Sequence, residues 1–289
     1  MKDFESTQFV AYVHTLSFIT KDIIYRKDEI PYKPRYVKKI CRYNDGTLFQ
    51  VNLNEIYGEI YSAWGFQNVL HEVMNDLGIK CIKVTRMDFC FNLVVDYEEC
   101  YKINDVIKKL YALHIHSINS YYTNGDDHKK RSTKVDSRTT SLEIYNKEIE
   151  SNGQSPYRTR IEFRFYRGKP LCGIFKLVEH LLNGLYRLPM YFEQLEDQQL
   201  MYLCDAYERE IQKDYEGRIL SLSGFITKYA NSFFSYKMTQ RFYNIYKKGK
   251  FKAWLCQYRK QGHVITFYTQ KDVKNYISLL QQCLSDYSK

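Results

Sequence analysis

The sequence lacks the features that mark secreted, zinc-stabilised or membrane-spanning proteins. Its eight cysteines are scattered, with no C-x-x-C pair and no Cys/His cluster of the kind that binds zinc. No apolar run approaches the length of a membrane span, and the amino terminus has no apolar signal core. There is no internal repeat and no low-complexity linker. We therefore expect a cytoplasmic protein with reduced thiols and no membrane partner.

The composition favours a folded protein with a polyanionic partner. The chain has 289 residues and 44% apolar composition, enough to bury a large core in one or two domains. Its formal net charge is +10, and each phosphate contact by Lys or Arg releases condensed counterions. Its 28 tyrosines supply flat surfaces for unpaired bases, although an AT-rich genome also enriches tyrosine. Together these features favour a nucleic-acid partner over a merely soluble basic protein.

Three short segments, residues 85–92, 141–147 and 158–164, alternate polar and apolar residues with a period of two. Successive side chains of a β-strand point to opposite faces, so each segment predicts a strand with one apolar and one polar face. The apolar face comprises Met87, Phe89, Phe91, Leu93, Leu142, Ile144, Thr159, Ile161, Phe163 and Phe165. The polar face comprises Arg86, Asp88, Cys90, Asn92, Glu143, Tyr145, Lys147, Arg158, Arg160, Glu162 and Arg164.

The remaining patterns predict an α+β protein in two parts. Further strands are expected at 7–18, 47–54 and 115–123, helices at 61–77 and 105–113, and an exposed basic loop at 124–137. Later segments predict helices at 171–185, 193–215, 221–252, 251–261 and 271–284, and a short strand at 264–268. We expect residues 1–168 to form an antiparallel sheet with helices packed on one face. Residues 169–289 should be mainly helical and form a DNA-binding unit.

The polar face carries the groups that a DNA-nicking reaction needs. A tyrosine oxygen can become covalently attached to phosphate, and Tyr145 suits this role. A divalent cation can polarise the scissile phosphate while Asp88 and Glu162 hold that cation. Lys147 would lower the cost of phenolate formation or balance the charge of the phosphate. Taken singly, each residue has a structural alternative, because a sheet tyrosine usually packs across strands and an acid beside Arg is usually an ion pair.

Those residues resemble a known family. The strings are Thr85-Arg86-x-Asp88, then Ser137-Arg138, Ile144-Tyr145-Asn146-Lys147 and Glu150, and last Arg160-Ile161-Glu162-x-Arg164 before a helix. Over roughly residues 80–185 they resemble the replication-initiator endonucleases of filamentous bacteriophages, and the trans-acting Rep proteins and relaxases of rolling-circle plasmids and integrative elements. The resemblance implies that Tyr145 is the nicking residue and that Asp88 and Glu162 bind Mg or Mn.

The sequence departs from this family in ways that leave the metal ligands open. Many relatives have a second acid where this chain has Asn92, and many have Gly where it has Asp136. Glu143 or a histidine would then complete the metal shell. His114-Ile115-His116 matches the His-hydrophobic-His ligand pair of the wider superfamily, since two His at i and i+2 of a strand share a face. It also lies where a predicted helix meets a predicted strand, so chance explains it as well.

The sequence as a whole predicts a metal-dependent, site-specific DNA endonuclease. It would nick and rejoin single-stranded origin DNA through a covalent 5′-phosphotyrosine, as a replication initiator or relaxase. Its partners would be origin DNA, single-stranded or hairpin at the nick site with duplex nearby, and a host helicase and polymerase. The DNA-binding residues would be Arg86, Lys129, Lys130, Arg131, Arg138, Arg160 and Arg164, with Arg86, Arg160 and Arg164 alternatively neutralising the acids. The rival functions are a non-catalytic origin-binding or copy-control protein, and a structural or RNA-binding protein.

Overall fold

A computed structural model describes residues 8–23, 34–43, 46–116, 119–124, 131–166, 169–212 and 221–289. Within these residues, eight strands form one sheet of order β2-β3-β1-β4-β8-β7-β6-β5, and every neighbouring pair is antiparallel. The strands are β1 (Phe9–Thr20), β2 (Val37–Tyr43), β3 (Gly46–Val51), β4 (Lys83–Leu93), β5 (Asn119–Asn124), β6 (Arg131–Asp136), β7 (Thr140–Asn146) and β8 (Thr159–Phe165).

The helices lie between the early strands and in the second part of the chain, which confirms the α+β prediction. The first four are α1 (Asn54–Tyr57), α2 (Ala63–Asp76), α3 (Tyr97–His114) and α4 (Lys147–Glu150). The later ones are α5 (Ile174–Arg187), α6 (Phe192–Gln212), α7 (Leu222–Lys228), α8 (Tyr236–Tyr246), α9 (Phe251–Lys260) and α10 (Gln270–Ser288). Within the described ranges, no helix combines the length and the apolar character that crossing a bilayer requires.

The apolar faces of β4, β7 and β8 form the core, as their alternation predicts. Phe89, Phe91 and Phe163 are almost wholly buried. Phe163 packs against Tyr111 of α3 with ring centroids 5.3 Å apart, and Phe89 packs against Tyr287 of α10 at 5.1 Å. Buried apolar residues from the sheet and from the later helices belong to one continuous cluster. The division of the chain at residue 168 stays a prediction.

A β-bulge in β1 explains why this strand shows no clean alternation. Val13 lies opposite Phe89 and Thr15 opposite Asp88, so His14 is the extra residue. The bulge changes which residues face the core: Ala11 and Val13 precede it at odd positions, whereas Leu16 and Phe18 follow it at even positions. Tyr12 and His14 are consequently placed on the polar face beside β4.

Several boundaries differ from the predicted ones. Helix α3 begins at Tyr97, earlier than predicted, because Asp96 caps it by accepting a hydrogen bond from Glu98 N at 2.8 Å. Part of the predicted basic loop at 124–137 is strand β6, and β2 was not predicted. The predicted strand at 264–268 is wrong, since this segment has no strand partner among the described residues and is anchored by Tyr268 N donating to Phe234 O at 2.7 Å.

One buried hydrogen bond joins the last helix to α3. Tyr276 Oη donates to Asn104 Oδ1 at 2.7 Å, and both residues are almost fully buried. We expect Tyr276→Phe to lower the free energy of unfolding by about 1–3 kcal/mol, because Asn104 Oδ1 loses the tyrosine donor inside the core. Denaturant titration monitored by circular dichroism measures this. Ser278→Ala is the control, since its hydroxyl bonds only a carbonyl on the exposed face of the same helix. An equal loss in both variants would contradict the assignment.

Candidate active site

The strand register brings the polar side chains of four strands together. Glu162 of β8 lies opposite Cys90 of β4 on one side and Glu143 of β7 on the other. Arg160 lies opposite Asn92 and Tyr145 in the same way, and Arg164 lies opposite Asp88 and Ser141. Because paired residues of antiparallel strands lie about 5 Å apart, acids, a phenol and guanidinium groups are forced into contact.

Tyr145 is positioned between a base and a cation. Its Oη donates a hydrogen bond to Glu162 Oε2 at 3.1 Å and accepts one from Arg160 Nη1 at 3.3 Å. Tyr145 is partly exposed, whereas Glu162 and Arg160 are 3% and 2% exposed. Burial and the charge of Glu162 raise the pKa of Tyr145 well above its usual range, while Arg160 opposes that shift. The phenol is therefore neutral at pH 7, with its proton directed at a carboxylate.

Arg160 is held rigidly by residues from two other strands. Its Nε donates to Asn92 Oδ1 at 2.7 Å, and its Nη2 donates to Tyr12 Oη at 2.6 Å. Asn92 Nδ2 also donates to Tyr12 Oη at 3.0 Å, which closes the network. The guanidinium carbon lies 5.7 Å from the ring centroid of Tyr12 and 6.0 Å from that of Tyr145. Asn92, which replaces the second acid of the family pattern, thus orients a cation.

Arg164 occupies the centre of the acid cluster. Its Nε lies 2.5 Å from Glu162 Oε1 and 3.9 Å from Asp88 Oδ2, and its Nη2 lies 2.6 Å from Glu143 Oε2. Burial opposes ionisation of Glu162, but the charge and the hydrogen bond of Arg164 outweigh it and lower the pKa of this carboxyl. Asp88, Glu143 and Glu162 therefore converge on a guanidinium group, with Glu162 ionised and able to accept a proton.

Asp88 is paired with Arg86 as well as with Arg164. Arg86 Nε donates to Asp88 Oδ1 at 2.7 Å and Nη2 donates to Oδ2 at 2.5 Å, a bidentate pair. Burial, with the nearby charge of Glu162, raises the pKa of Asp88 to about 6 although Arg86 opposes the shift. The guanidinium of Arg86 lies 5.8 Å from the Tyr166 ring centroid, and its side chain is 31% exposed. Asp88 thus orients Arg86 toward the partly open side of the site.

A group of three side chains could hold a metal ion on the other side of Glu162. Ligand atoms of His14, Cys90 and Glu162 all lie within 4.8 Å of one another. Burial lowers the pKa of His14 to about 4, so its imidazole is neutral at pH 7 and able to bind a metal. Burial raises the pKa of the Cys90 thiol, so it offers no thiolate. An imidazole and a carboxylate suit Mn²⁺ better than Mg²⁺, which prefers oxygen ligands alone.

The structure places other predicted residues away from this group. His114 is the last residue of α3, where its ring packs against Tyr111 and Tyr191 at centroid distances of 6.3 and 5.9 Å. His116 follows it with a φ of 48°. The pair therefore lacks the strand geometry that would point both rings to one face, because α3 extends to His114. Lys147 begins α4 instead of continuing β7, and it forms an ion pair with Glu150.

The predicted DNA-binding residues lie at different depths. Arg138 is exposed in the tight turn between β6 and β7, where Ser137 N donates to Thr140 O at 2.8 Å. Arg160 and Arg164 belong to the networks above. Lys129 and Lys130 lie outside the described residues, as does the side chain of Arg131. Among the predicted DNA-binding residues that the structure describes, Arg138 and Arg86 are therefore the cations most accessible to solvent.

Sequence reasoning missed three residues of the site: Tyr12, His14 and Glu59. Tyr12 and His14 are two residues apart in a segment predicted as a strand, and this spacing was the available signal. The bulge that aims His14 at Glu162 has no such signal. Glu59 accepts a hydrogen bond from Tyr157 Oη at 3.1 Å and from Asn92 Nδ2 at 3.4 Å. The segment between α1 and α2 therefore covers one side of the site.

Comparison with solved structures finds distant likeness in fold. No family model matches the chain, and no curated protein matches it. The fold is similar to the rolling circle replication initiator protein from Geobacillus stearothermophilus, with 11% sequence identity and a TM-score of 0.35. The likeness covers 59% of this chain and 77% of that one. It is too distant to assign the chain to a family.

Proposed function

We propose that the protein nicks and rejoins single-stranded DNA through a covalent link between Tyr145 and a 5′-phosphate, and that it acts as a replication initiator or relaxase. The observation that carries this proposal is the contact of one partly exposed phenol with both a carboxylate and a guanidinium. Tyr145 Oη donates to Glu162 and accepts from Arg160. A nucleophile within hydrogen-bond reach of its base, with a cation beside it, is the arrangement that covalent catalysis requires.

The contacts support one sequence of bond changes. The Tyr145 oxygen attacks phosphorus while its proton passes to Glu162, and Arg160 stabilises the negative charge that develops on the oxygen. The bond between phosphorus and the 3′-oxygen breaks, and that oxygen takes up a proton to leave a free 3′-hydroxyl. Attack by a 3′-hydroxyl on the phosphotyrosine reverses these changes and rejoins the strand. The free 3′-hydroxyl is a primer that a polymerase can extend.

A divalent cation fits beside the nucleophile. His14 and Glu162 would hold Mn²⁺, and bound there it would neutralise charge on the scissile phosphate. Asp88 and Glu143 act through Arg164 and Arg86 in this proposal, instead of binding the metal directly. Arg86 and Arg138 would contact the flanking phosphates of the strand, since both are accessible guanidinium groups near the site.

The metal assignment predicts a difference between two histidines. Mn²⁺ should stabilise the wild type by about 2.7 kcal/mol at a concentration about 100-fold above its Kd. His14→Gln should remove most of that stabilisation because it removes a metal ligand. His114→Gln should keep it, since His114 packs in the helical layer. Thermal unfolding with and without Mn²⁺ measures both. The assignment is wrong if the two variants respond equally to the metal.

The test of the function is a covalent adduct. The protein is incubated with Mn²⁺ and labelled single-stranded oligonucleotides that tile the replicon that encodes it, then separated under denaturing conditions. We expect one strand and one position to give a labelled protein band together with a shortened product bearing a 3′-hydroxyl. No adduct on any oligonucleotide, with strand binding retained, would favour the non-catalytic origin-binding alternative.

A further inference from the structure

The net charge of the protein resides in one helical segment. Residues 221–271 contain ten Lys and Arg and no Asp or Glu. Because the whole chain has 43 cationic and 33 acidic residues, the remainder has equal numbers of both. This segment comprises α7, α8 and α9 and lies outside the candidate active site. The polyanion that the composition predicts therefore has a second place to bind.

Nine of these ten cations fall into two groups, and the tenth, Lys271, lies in the first turn of α10. Lys228, Lys237 and Arg241 face α6, where they pair with Glu210, Glu193 and Asp197 at 2.8, 3.9 and 2.5 Å. The second group is exposed, and the described residues give it no ion pair with an acid. It consists of Lys247, Lys248, Lys250, Lys252, Arg259 and Lys260. These six cations all lie on α9 and the turn before it, so most of the segment's unpaired charge is concentrated there.

Helix α9 is fixed in place by its inner face. Phe251 and Trp254 pack against Tyr243 of α8, with ring centroids 5.5 and 5.1 Å apart. Trp254 Nε1 donates to Ser223 Oγ at 3.0 Å, which joins α9 to α7. The turn between α8 and α9 spans residues 247–250 and contains glycine. Two helices joined by such a short turn, with the second one presenting its outer face, are typical of helix-turn-helix DNA-binding units.

The outer face of α9 is suited to a DNA groove. It is fully exposed and consists of Lys252, Ala253, Cys256, Gln257, Arg259 and Lys260. Small residues in its middle permit close approach, while Gln257 and Arg259 have the bidentate geometry that reads adenine and guanine. A helix of this length is about 15 Å long and fits a major groove about 12 Å wide.

The same face argues against other polyanions. Single-stranded nucleic acid is bound by stacking on aromatic rings, but the aromatic residues of α9, Phe251, Trp254 and Tyr258, are buried. Double-stranded RNA has a major groove too narrow for a helix. A membrane-bound amphipathic helix inserts its apolar face, and here that face is packed against α7 and α8.

We infer that α9 is a recognition helix that inserts into the major groove of duplex DNA, with Lys247, Lys248 and Lys250 of the preceding turn on the phosphates. This surface works independently of the nicking chemistry. It would hold a duplex next to the segment that is cut, and it would select the sequence of that duplex through Gln257 and Arg259.

Two triple variants of the full-length protein test this inference. Both remove three positive charges from the same acid-free segment. Lys252→Gln/Arg259→Gln/Lys260→Gln changes the outer face of α9, and Lys228→Gln/Lys237→Gln/Arg241→Gln changes the cations that are paired with α6. Fluorescence anisotropy is measured with a mixed-sequence DNA duplex about two helical turns long.

We expect the first variant to bind the duplex at least about tenfold more weakly. The slope of log binding constant against log salt concentration should become shallower by about two to three. The second variant should bind the duplex less than about threefold more weakly, since it alters only the long-range electrostatic field at the binding surface. Gln257→Ala should keep the affinity for mixed sequence and reduce discrimination about tenfold in selection from a random duplex pool. Circular dichroism confirms that each variant is folded.

Equal losses in the two triple variants would overturn the inference, because net charge alone would then explain binding. So would equal competition by single-stranded DNA, duplex RNA or anionic phosphatidylserine vesicles at the same phosphate concentration. The outcome is separable from that of the nicking proposal. The α9 variant should still form an adduct on a short single strand, and Tyr145→Phe should still bind the duplex.

Discussion

Tyr145→Phe should abolish the covalent protein–DNA adduct, with a loss in the rate of nicking of at least about 10³-fold. The substitution removes one oxygen and leaves the ring, which lies 6.0 Å from the guanidinium carbon of Arg160. Because the proposed nucleophile is that oxygen, no residual covalent route exists through this residue. The binding of single-stranded DNA should change little, since the phosphate contacts come from arginines. Denaturing gels measure the adduct, and anisotropy measures the binding.

Tyr12→Phe is the matched control for the nucleophile. Tyr12 Oη contacts the same guanidinium as Tyr145, since Arg160 Nη2 donates to it at 2.6 Å. It is only 2% exposed, so its oxygen cannot reach a phosphate. Tyr12→Phe should therefore retain the adduct at a reduced rate, because Arg160 is less firmly held. If the adduct survives in Tyr145→Phe and disappears in Tyr12→Phe, Tyr12 is the nucleophile and Tyr145 is not. An adduct that survives in both would contradict the proposed mechanism.

Arg164→Met should destabilise the fold strongly at neutral pH. This guanidinium is the shared partner of Asp88, Glu143 and Glu162, and two of these acids are almost fully buried. Removing one partner of a buried ion network typically costs about 3–5 kcal/mol, because the remaining charges lose their compensation in a low dielectric. For a domain of this size that corresponds to a fall in melting temperature of roughly 10 °C. Differential scanning calorimetry measures the change.

The pH dependence of this deficit identifies its cause. In the wild type the guanidinium of Arg164 lowers the pKa of the Glu162 carboxyl. In the variant this effect is lost, and burial raises that pKa instead. The folded state then binds protons more tightly than the unfolded state, so the deficit should shrink as the pH falls from about 8 to about 5. Arg158→Met is the control, because Arg158 is 54% exposed and pairs with Asp96 at 3.5 Å. It should cost less than about 1 kcal/mol at any pH. A deficit independent of pH would point to lost packing instead of charge.

The sequence alone predicts the parts of the fold that depend on local periodicity. The alternation in β4, β7 and β8 predicted which side chains face the core, and the turn composition at 151–156 predicted the β7–β8 hairpin. Period-two alternation is a strong signal because one face of each strand is predominantly apolar. The acids and the tyrosine could be selected on the same basis, since the predicted faces carry them side by side.

The remaining features depend on relations between distant segments. That Arg164 contacts three acids follows from the register of β4, β8 and β7, which no single strand specifies. The position of His14 depends on a bulge whose effect is visible only against β4. His114-Ile115-His116 has the spacing of a strand pair but lies at a helix end, because α3 extends to His114. Local spacing thus identified candidate groups but not their partners.

The central position of β1 in the sheet has a consequence for biosynthesis. This early strand pairs with β4, and β8 joins the other edge of β4 only after about 65 further residues have been made. Pairings so distant in sequence form slowly and late. A ribosome-bound chain that has not yet exposed β8 has neither Arg160 nor Glu162 beside its phenol. If the protein nicks DNA as proposed, that activity would arise only after β8 has been synthesised and paired with β4.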